Sequence, residues 1–343
     1  MLIPAIFTLH SLRADDDLRK LVFWIVGLAL VIIIGFRHEI GGDWDRYISI
    51  YDFHTGTALN FQNFKSGDYA YELIHWFSLN YLNGIYSTNL ICAIFFVSGL
   101  IRLSRKMPFP WISLLISMSF FVVVVAMGYT RQGAAVGFLM WALVDLINGN
   151  TKKFYMYIII GSLFHKTLLI MISIGYIYTF EHQNKVLSFI LFSLILLAGY
   201  VIFENRVQHM LYYYIEIKFH HSSGALARVT LNAVSAIIFF LYRDKFRESF
   251  HDEKLWFIFG VVSILLTPIS LYYSTLSDRI AIYFLPIQMV VLSRIPILIE
   301  SVYWRTIFVV CVTILYSSAL FAWLFFGVNS QYWLPYQNLL TLG

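Results

Sequence analysis

The run LVFWIVGLALVIII (21–34) passes directly into GFRHEIGGDWDRYISIYDFHTG (35–56). The first part holds no charged residue, and 20–36 is close to the length a helix needs to cross a hydrocarbon core. The second part sets Arg37, His38, Glu39, Asp43, Asp45 and Arg46 immediately behind it. A greasy helix that delivers a dense polar patch to one face of a bilayer is the reading that decides the fold class. The rest of the chain agrees. Of 343 residues 59% are hydrophobic and only 13% charged, about half the charged share of a soluble domain. Mean hydropathy is +0.73. Apolar runs near span length recur and strict period-two alternation does not, which indicates helices and excludes a barrel. Cys92 and Cys311 both sit in apolar runs and read as packing residues, not a disulfide or metal pair. The net charge of +5 is a topology signal and not a nucleic-acid one. The opening MLIPAIFTLHSL has no basic leader or small-residue cleavage site, so it does not read as a cleaved signal peptide.

The chain reads as all-α: one polytopic membrane domain over 1–343, with roughly ten to eleven transmembrane or half-membrane helices. Spans are expected over 20–36, 86–102, 111–128, 133–148, 186–203, 226–242, 255–273, 280–299 and 304–326. Two segments fit less simply. YAYELIHWFSLNYLNG (69–84) is about half a span. FYMYIIIGSLFHKTLLIMISIGYIYTF (154–180) is too long for one straight span and too short for two. Basic clusters at Arg13/Arg19/Lys20, Arg102/Arg105/Lys106, Lys152/Lys153 and Arg243/Lys245/Arg247/Lys254 mark cytoplasmic loops. Placing all four on one side makes 154–180 go out and return, broken at His165-Lys166. The outward-facing loops are then 37–85 and 204–228.

That outward face should be poor in cations, yet it carries Arg37, Arg46, Arg131, Lys166, Arg206, Arg228 and Arg279. Cations at membrane depth are costly unless paired or lining water, and guanidinium forks suit phosphates. The bland reading for each is a snorkelling anchor or an internal salt bridge; the set as a whole points to an anion site. Arg131 opens RQGAAVGFLMWAL, whose Gly133, Ala134, Ala135 and Gly137 allow close helix packing. Gln132 offers donor and acceptor. Asp278 and Arg279 are adjacent and point to different faces, which leaves Arg279 to turn inward. His165, at the break, can exchange a proton near neutral pH. Asp43, Tyr47 and Tyr51 recur every four residues on one helix face, and Gly41-Gly42 would end the preceding helix. Asp43-Trp44-Asp45 resembles the D-x-D pair that holds a cation on a diphosphate, a pattern common by chance. Trp44, Tyr47 and Tyr283 belong to an aromatic cluster that is mostly an interfacial belt, part of which could stack on sugars.

FRHEIGGDWDRYISIYDF resembles the EpsG-like branch of the Wzy-type polysaccharide polymerases through Arg37, Gly41, Asp43, Trp44 and Tyr47. YTRQGAAVGFLMWAL is similar to the family's Arg-Gln element at Arg131 and Gln132. SLFHKTLLI resembles its His-Lys element at His165 and Lys166, and LSDRIAIYF its Arg-x-x-x-Tyr element at Arg279 and Tyr283. The four occur in family order, although the N-terminus is shorter than usual.

The resemblance implies a GT-C-like glycosyltransferase of the bacterial inner membrane. It would polymerise O-antigen, capsule or exopolysaccharide repeat units carried on undecaprenyl diphosphate, at the periplasmic or outer face. Arg131, Arg279, Lys166, Arg228 and Arg37 would hold the diphosphate leaving group. His165 or Asp43 would be the base for the acceptor hydroxyl. Gln132, Tyr47, Trp44, Tyr283 and Asp45 would contact the sugar. The donor is already activated, so no cofactor or metal is implied. Partners would be the lipid-linked glycans, with a chain-length regulator and a flippase in the same membrane, and no nucleic acid. A lipid-linked glycan ligase uses the same donor chemistry. A transporter or flippase would spread its cations along a path through the bilayer and not gather them on one face.

Overall fold

A computed structural model describes residues 16–54, 67–179 and 224–341. The expected span at 186–203 and most of the loop at 204–228 lie outside the described residues. The described chain is helical throughout, apart from one two-residue strand pair. It divides into two compact units: unit 1 comprises 1–168 with 292–343, and unit 2 comprises 169–291.

Unit 1 opens with α1 (Asp16–Gly35), which ends at Gly35 and not at Gly41-Gly42 as the sequence suggested. β1 (Arg37–His38) follows and pairs antiparallel with β2 (Gln337–Asn338) near the other end of the sequence. Gly41 makes the turn into α2 (Trp44–His54): its φ is +107°, and a Cβ there would lie 2.7 Å from the Met127 carbonyl oxygen. Only glycine tolerates both conditions. The half-span 69–84 is α3 (Tyr69–Tyr81).

α4 (Ile85–Arg105) is a full span by length and apolarity, with Arg102 and Arg105 in its last turn, where cations complement the helix dipole. α5 (Pro110–Ser117) starts on a proline, whose missing N–H costs nothing in a first turn, and runs on as a π-helical stretch over Met118–Ala126. α6 (Thr130–Ile147) packs tightly on α4. A Cβ on Gly137 would collide with the backbone of Phe95 and Phe96, and one on Gly99 with the backbone of Gly137. Gly137, one of the small residues expected to let helices approach, thus lies directly against α4.

α7 (Thr151–Ser162) lies alongside α6. It stops where the sequence placed a break. Leu163 and Phe164 turn the chain, His165 is non-helical, and a 3-10 turn covers Lys166–Ile170. Unit 1 resumes in the latter part of α13 (Pro286–Leu298) and in α14 (Val302–Phe326). α14 is long, apolar and little buried, with Trp304, Ile314, Phe321 and Phe325 all exposed. Such a surface requires lipid around it.

Unit 2 contains α8 (Met171–Thr179), α9 (Ala225–Leu241), α10 (Arg243–Ser249), α11 (Glu253–Tyr272) and α12 (Ser274–Ala281). α9 packs on α11 and α12. A 3-10 turn at Ile282–Phe284 then leads into α13 with a 46° bend, so the expected span 280–299 is a broken one. Among the described residues three helices are long and apolar enough to cross a membrane, or five if each bent pair counts as one.

Candidate functional site

The polar centre of unit 1 is built on a residue that sequence reasoning did not single out. Asp68 occupies the N-cap position of α3, where an aspartate ordinarily accepts a bond from its own helix; its side chain makes no such bond. It turns instead to the broken segment and to α6. Oδ2 accepts from Arg131 Nη1 at 3.0 Å and lies 3.5 Å from His165 Nδ1. Oδ1 accepts from the Lys166 backbone N–H at 3.3 Å. The Ala70 N–H bonds to the Leu163 carbonyl at 2.9 Å, so the start of α3 is tied to the helix break by backbone as well. Asp68 is 2% exposed. Burial alone would raise its carboxyl pKa. The hydrogen bond and charge of His165, the charge of Arg131 and the Lys166 amide outweigh that effect and hold it below the ordinary carboxylate value.

Arg131 projects from the first turn of α6 into an aromatic collar. Its guanidinium lies 5.7 Å from the Tyr71 ring centre and 5.9 Å from that of Tyr47, and it hydrogen-bonds the Tyr47 hydroxyl. Tyr71 in turn stacks on His75 at 5.8 Å, and Thr88 Oγ1 lies 3.4 Å from His75 Nδ1. Among the described residues the buried Tyr71 hydroxyl has no hydrogen-bond partner. Burial raises the Tyr47 hydroxyl pKa, which keeps it neutral while its oxygen accepts from the cation.

Arg37 does not take the place expected of it. It is 1% exposed, with Nη1 donating to the Ile34 carbonyl at 2.6 Å and Nη2 to Thr130 Oγ1 at 2.7 Å and Asn89 Oδ1 at 3.1 Å. It clamps the end of α1 to α4 and α6. Burial lowers its pKa, and no carboxylate among the described residues offsets that cost. Of the remaining expected contacts in this stretch, Trp44 is buried against His38 and Tyr86, Asp43 is half-buried, and Asp45 is exposed. Gln132 is buried next to Arg131.

Arg228, Arg279 and Tyr283 belong to unit 2. Arg228 is held by both oxygens of Asp278, Nε to Oδ1 at 2.7 Å and Nη2 to Oδ2 at 2.6 Å. This bidentate, buried pair between α9 and α12 takes up Nε and Nη2, two of the donor atoms that the sequence reading offered to a diphosphate. Just behind it Asn232 Nδ2 donates to the Ala281 carbonyl at 3.0 Å, and Gln288 Nε2 to Asn232 Oδ1 at 2.6 Å. Arg279 is partly buried, and Tyr283 is fully buried. Unit 1 therefore gathers Arg131, His165, Lys166, Tyr47 and Asp68, while unit 2 organises its own polar core about Arg228 and Asp278.

A family model for the EpsG family matches residues 20–338. The chain belongs to the EpsG family. That match spans nearly all of the chain, and with the exposed apolar helices it marks an EpsG-family membrane protein of the Wzy-like polymerase kind. None of the curated proteins or solved structures compared with it matches. In this EpsG-family chain, the described cluster can do two things chemically. A carboxylate on Nδ1 selects the imidazole tautomer whose Nε2 lone pair accepts a proton. A guanidinium anchored from one side keeps further N–H donors for an anion.

Proposed function

We propose that this EpsG-family protein polymerises undecaprenyl-diphosphate-linked oligosaccharide repeat units. The observation that carries the reading is the buried Asp68 carboxylate, joined to Arg131 and His165 at a break in an apolar segment. Irregular backbone at such a place is tolerated where it lines a polar cavity. In the proposed reaction an acceptor sugar hydroxyl attacks the donor's anomeric carbon. The bond from that carbon to the diphosphate oxygen breaks, and the diphosphate leaves as an anion. The acceptor proton passes to His165 Nε2, whose tautomer Asp68 sets from the other side. Arg131 faces the negative charge that develops on the leaving group, with Tyr47 and Tyr71 fixing its plane. Lys166 is a further diphosphate contact in this reading, and Gln132 and Trp44 are contacts to sugar. Asp43, half-buried beside Tyr47, is the second choice of base.

The same reading places the protein in the bacterial inner membrane, with ten to eleven full or half spans, a GT-C-like arrangement, and the reaction at the periplasmic or outer face. The positive-inside charge pattern supports that orientation. The test is polymerisation of a defined carrier-linked repeat unit by purified protein, read as a gel ladder. Wild type should build a ladder, and Arg131→Ala and His165→Ala should leave single units although both proteins remain folded. Unaltered ladders from both variants would remove the cluster from the mechanism. Transfer to a different acceptor with no ladder would assign the protein as a ligase.

A further inference from the structure

α4 carries polar residues at both ends. Thr88 and Asn89 adjoin the Asp68–Arg131 corner, and Arg102 lies about 20 Å further along the helix at 1.5 Å per residue. At that far end α1, α4 and α6 enclose a cavity of about 410 Å³, lined by Trp24, Arg102, Arg105, Lys106 and Trp141. Its volume is that of a small-ligand pocket. Its chemistry is uneven. Arg102 is bound to Asp145 at 2.9 Å and lies flat over Trp141 at 4.7 Å. Arg105 lies 5.8 Å over the Trp24 ring; it and Lys106 are exposed, and no carboxylate among the described residues pairs with either. Three cations and two indoles thus line the cavity, and the one carboxylate paired with them, Asp145, is not part of its lining.

We infer that this cavity binds the phosphate of a lipid headgroup with net negative charge, one with no ammonium group to meet the three cations. Arg105 and Lys106 supply the charge, and Arg102, fixed by Asp145, supplies a pre-oriented fork. Trp24 is 59% exposed, and Leu21 and Leu28 continue an exposed apolar ridge from it along α1. An amphiphile with its phosphate among the cations and its chains on that ridge satisfies both halves of the site, so a phospholipid headgroup fits better than a free phosphate ester. The simpler reading is that these cations only complement the negative end of α4 or attract acidic lipid without forming a site.

The deciding experiment is native mass spectrometry of the purified full-length protein titrated with phosphatidylglycerol or phosphatidylcholine. Wild type should retain phosphatidylglycerol in preference. Each exposed cation near a charged surface contributes about fivefold, so Arg105→Gln with Lys106→Gln should weaken retention about 30-fold. Arg105→Lys with Lys106→Arg keeps both charges and should bind like wild type. Lys152→Gln with Lys153→Gln removes an equally exposed pair from outside the cavity and should change nothing. Displacement of the lipid by inorganic phosphate would show that the site also takes the free ion; resistance to displacement would show that the lipid chains are needed. Equal retention of the two lipids, or equal loss in the Arg105/Lys106 and Lys152/Lys153 glutamine variants, would overturn the site.

Discussion

Asp68→Asn keeps the side chain's size and removes its charge, so it isolates the one group that ties Arg131 to the helix break. Removing one member of a buried ion pair costs about 3–5 kcal/mol. Arg131 keeps 15% of its side chain exposed and retains the Tyr47 hydroxyl, which places this case at or just below the lower end, about 2–3 kcal/mol. Thermal unfolding of the purified protein should fall by about 5 °C or more. Removing the orphaned cation as well, in Asp68→Asn with Arg131→Gln, should recover most of that loss without restoring polymer. The pH dependence has a definite sign. The Asp68 pKa is depressed in the folded protein, so its stabilisation is fully present above the unfolded value near 3.8 and fades as pH falls through the folded one. The difference between wild type and Asp68→Asn should therefore stay flat from pH 8 to about pH 5 and shrink only in stronger acid. An Asp68→Asn protein that melts like wild type and makes a normal ladder would refute the reasoning.

Three further outcomes follow from the same geometry. His165→Ala should slow polymerisation about 100- to 10,000-fold, the usual loss on removing a general base, while melting shifts little; near-normal turnover would move the base role to Asp43. Arg228→Ala strands Asp278 in the interior of unit 2 and should cost about 3–5 kcal/mol, seen as poor accumulation of folded protein, and Arg228→Ala with Asp278→Ala should recover part of it. Gly137→Ala drives a methyl into the Phe95 and Phe96 backbone and should destabilise by about 1–3 kcal/mol, measured by the same melting assay.

The helical spans and the break at His165-Lys166 were legible because hydrophobic run length and charge placement are local signals. Gly137 was legible for the same reason: small residues at helix spacing announce close packing. The ion pairs were not. Asp68 meets Arg131 across 63 positions and Asp278 meets Arg228 across 50, and nothing local in SGDYAYE or LSDRIAIYF names a partner that far away. Asp278 was weighed against its neighbour Arg279, when its real partner lies on α9. Asp68 also resembles an ordinary helix cap, a role its side chain does not fill. The surroundings of Arg37 were not legible either, because a cation at the end of a span can either face a cavity or be buried among neutral acceptors, and sequence does not distinguish the two.

The corner bearing Trp44 and Tyr47 is fastened by residues about 300 positions later in the sequence. The Tyr336 hydroxyl donates to the Ile33 carbonyl 303 positions earlier, Gly41 N–H bonds to the Tyr332 carbonyl, and Trp333 Nε1 donates to the Val123 carbonyl. A ribosome threading this chain into the membrane releases α1 and the residues after it long before their fastening strap exists. That corner is therefore fastened only once residues 332–336 have been made, and premature termination ahead of Tyr332 would leave the earlier helices inserted without it.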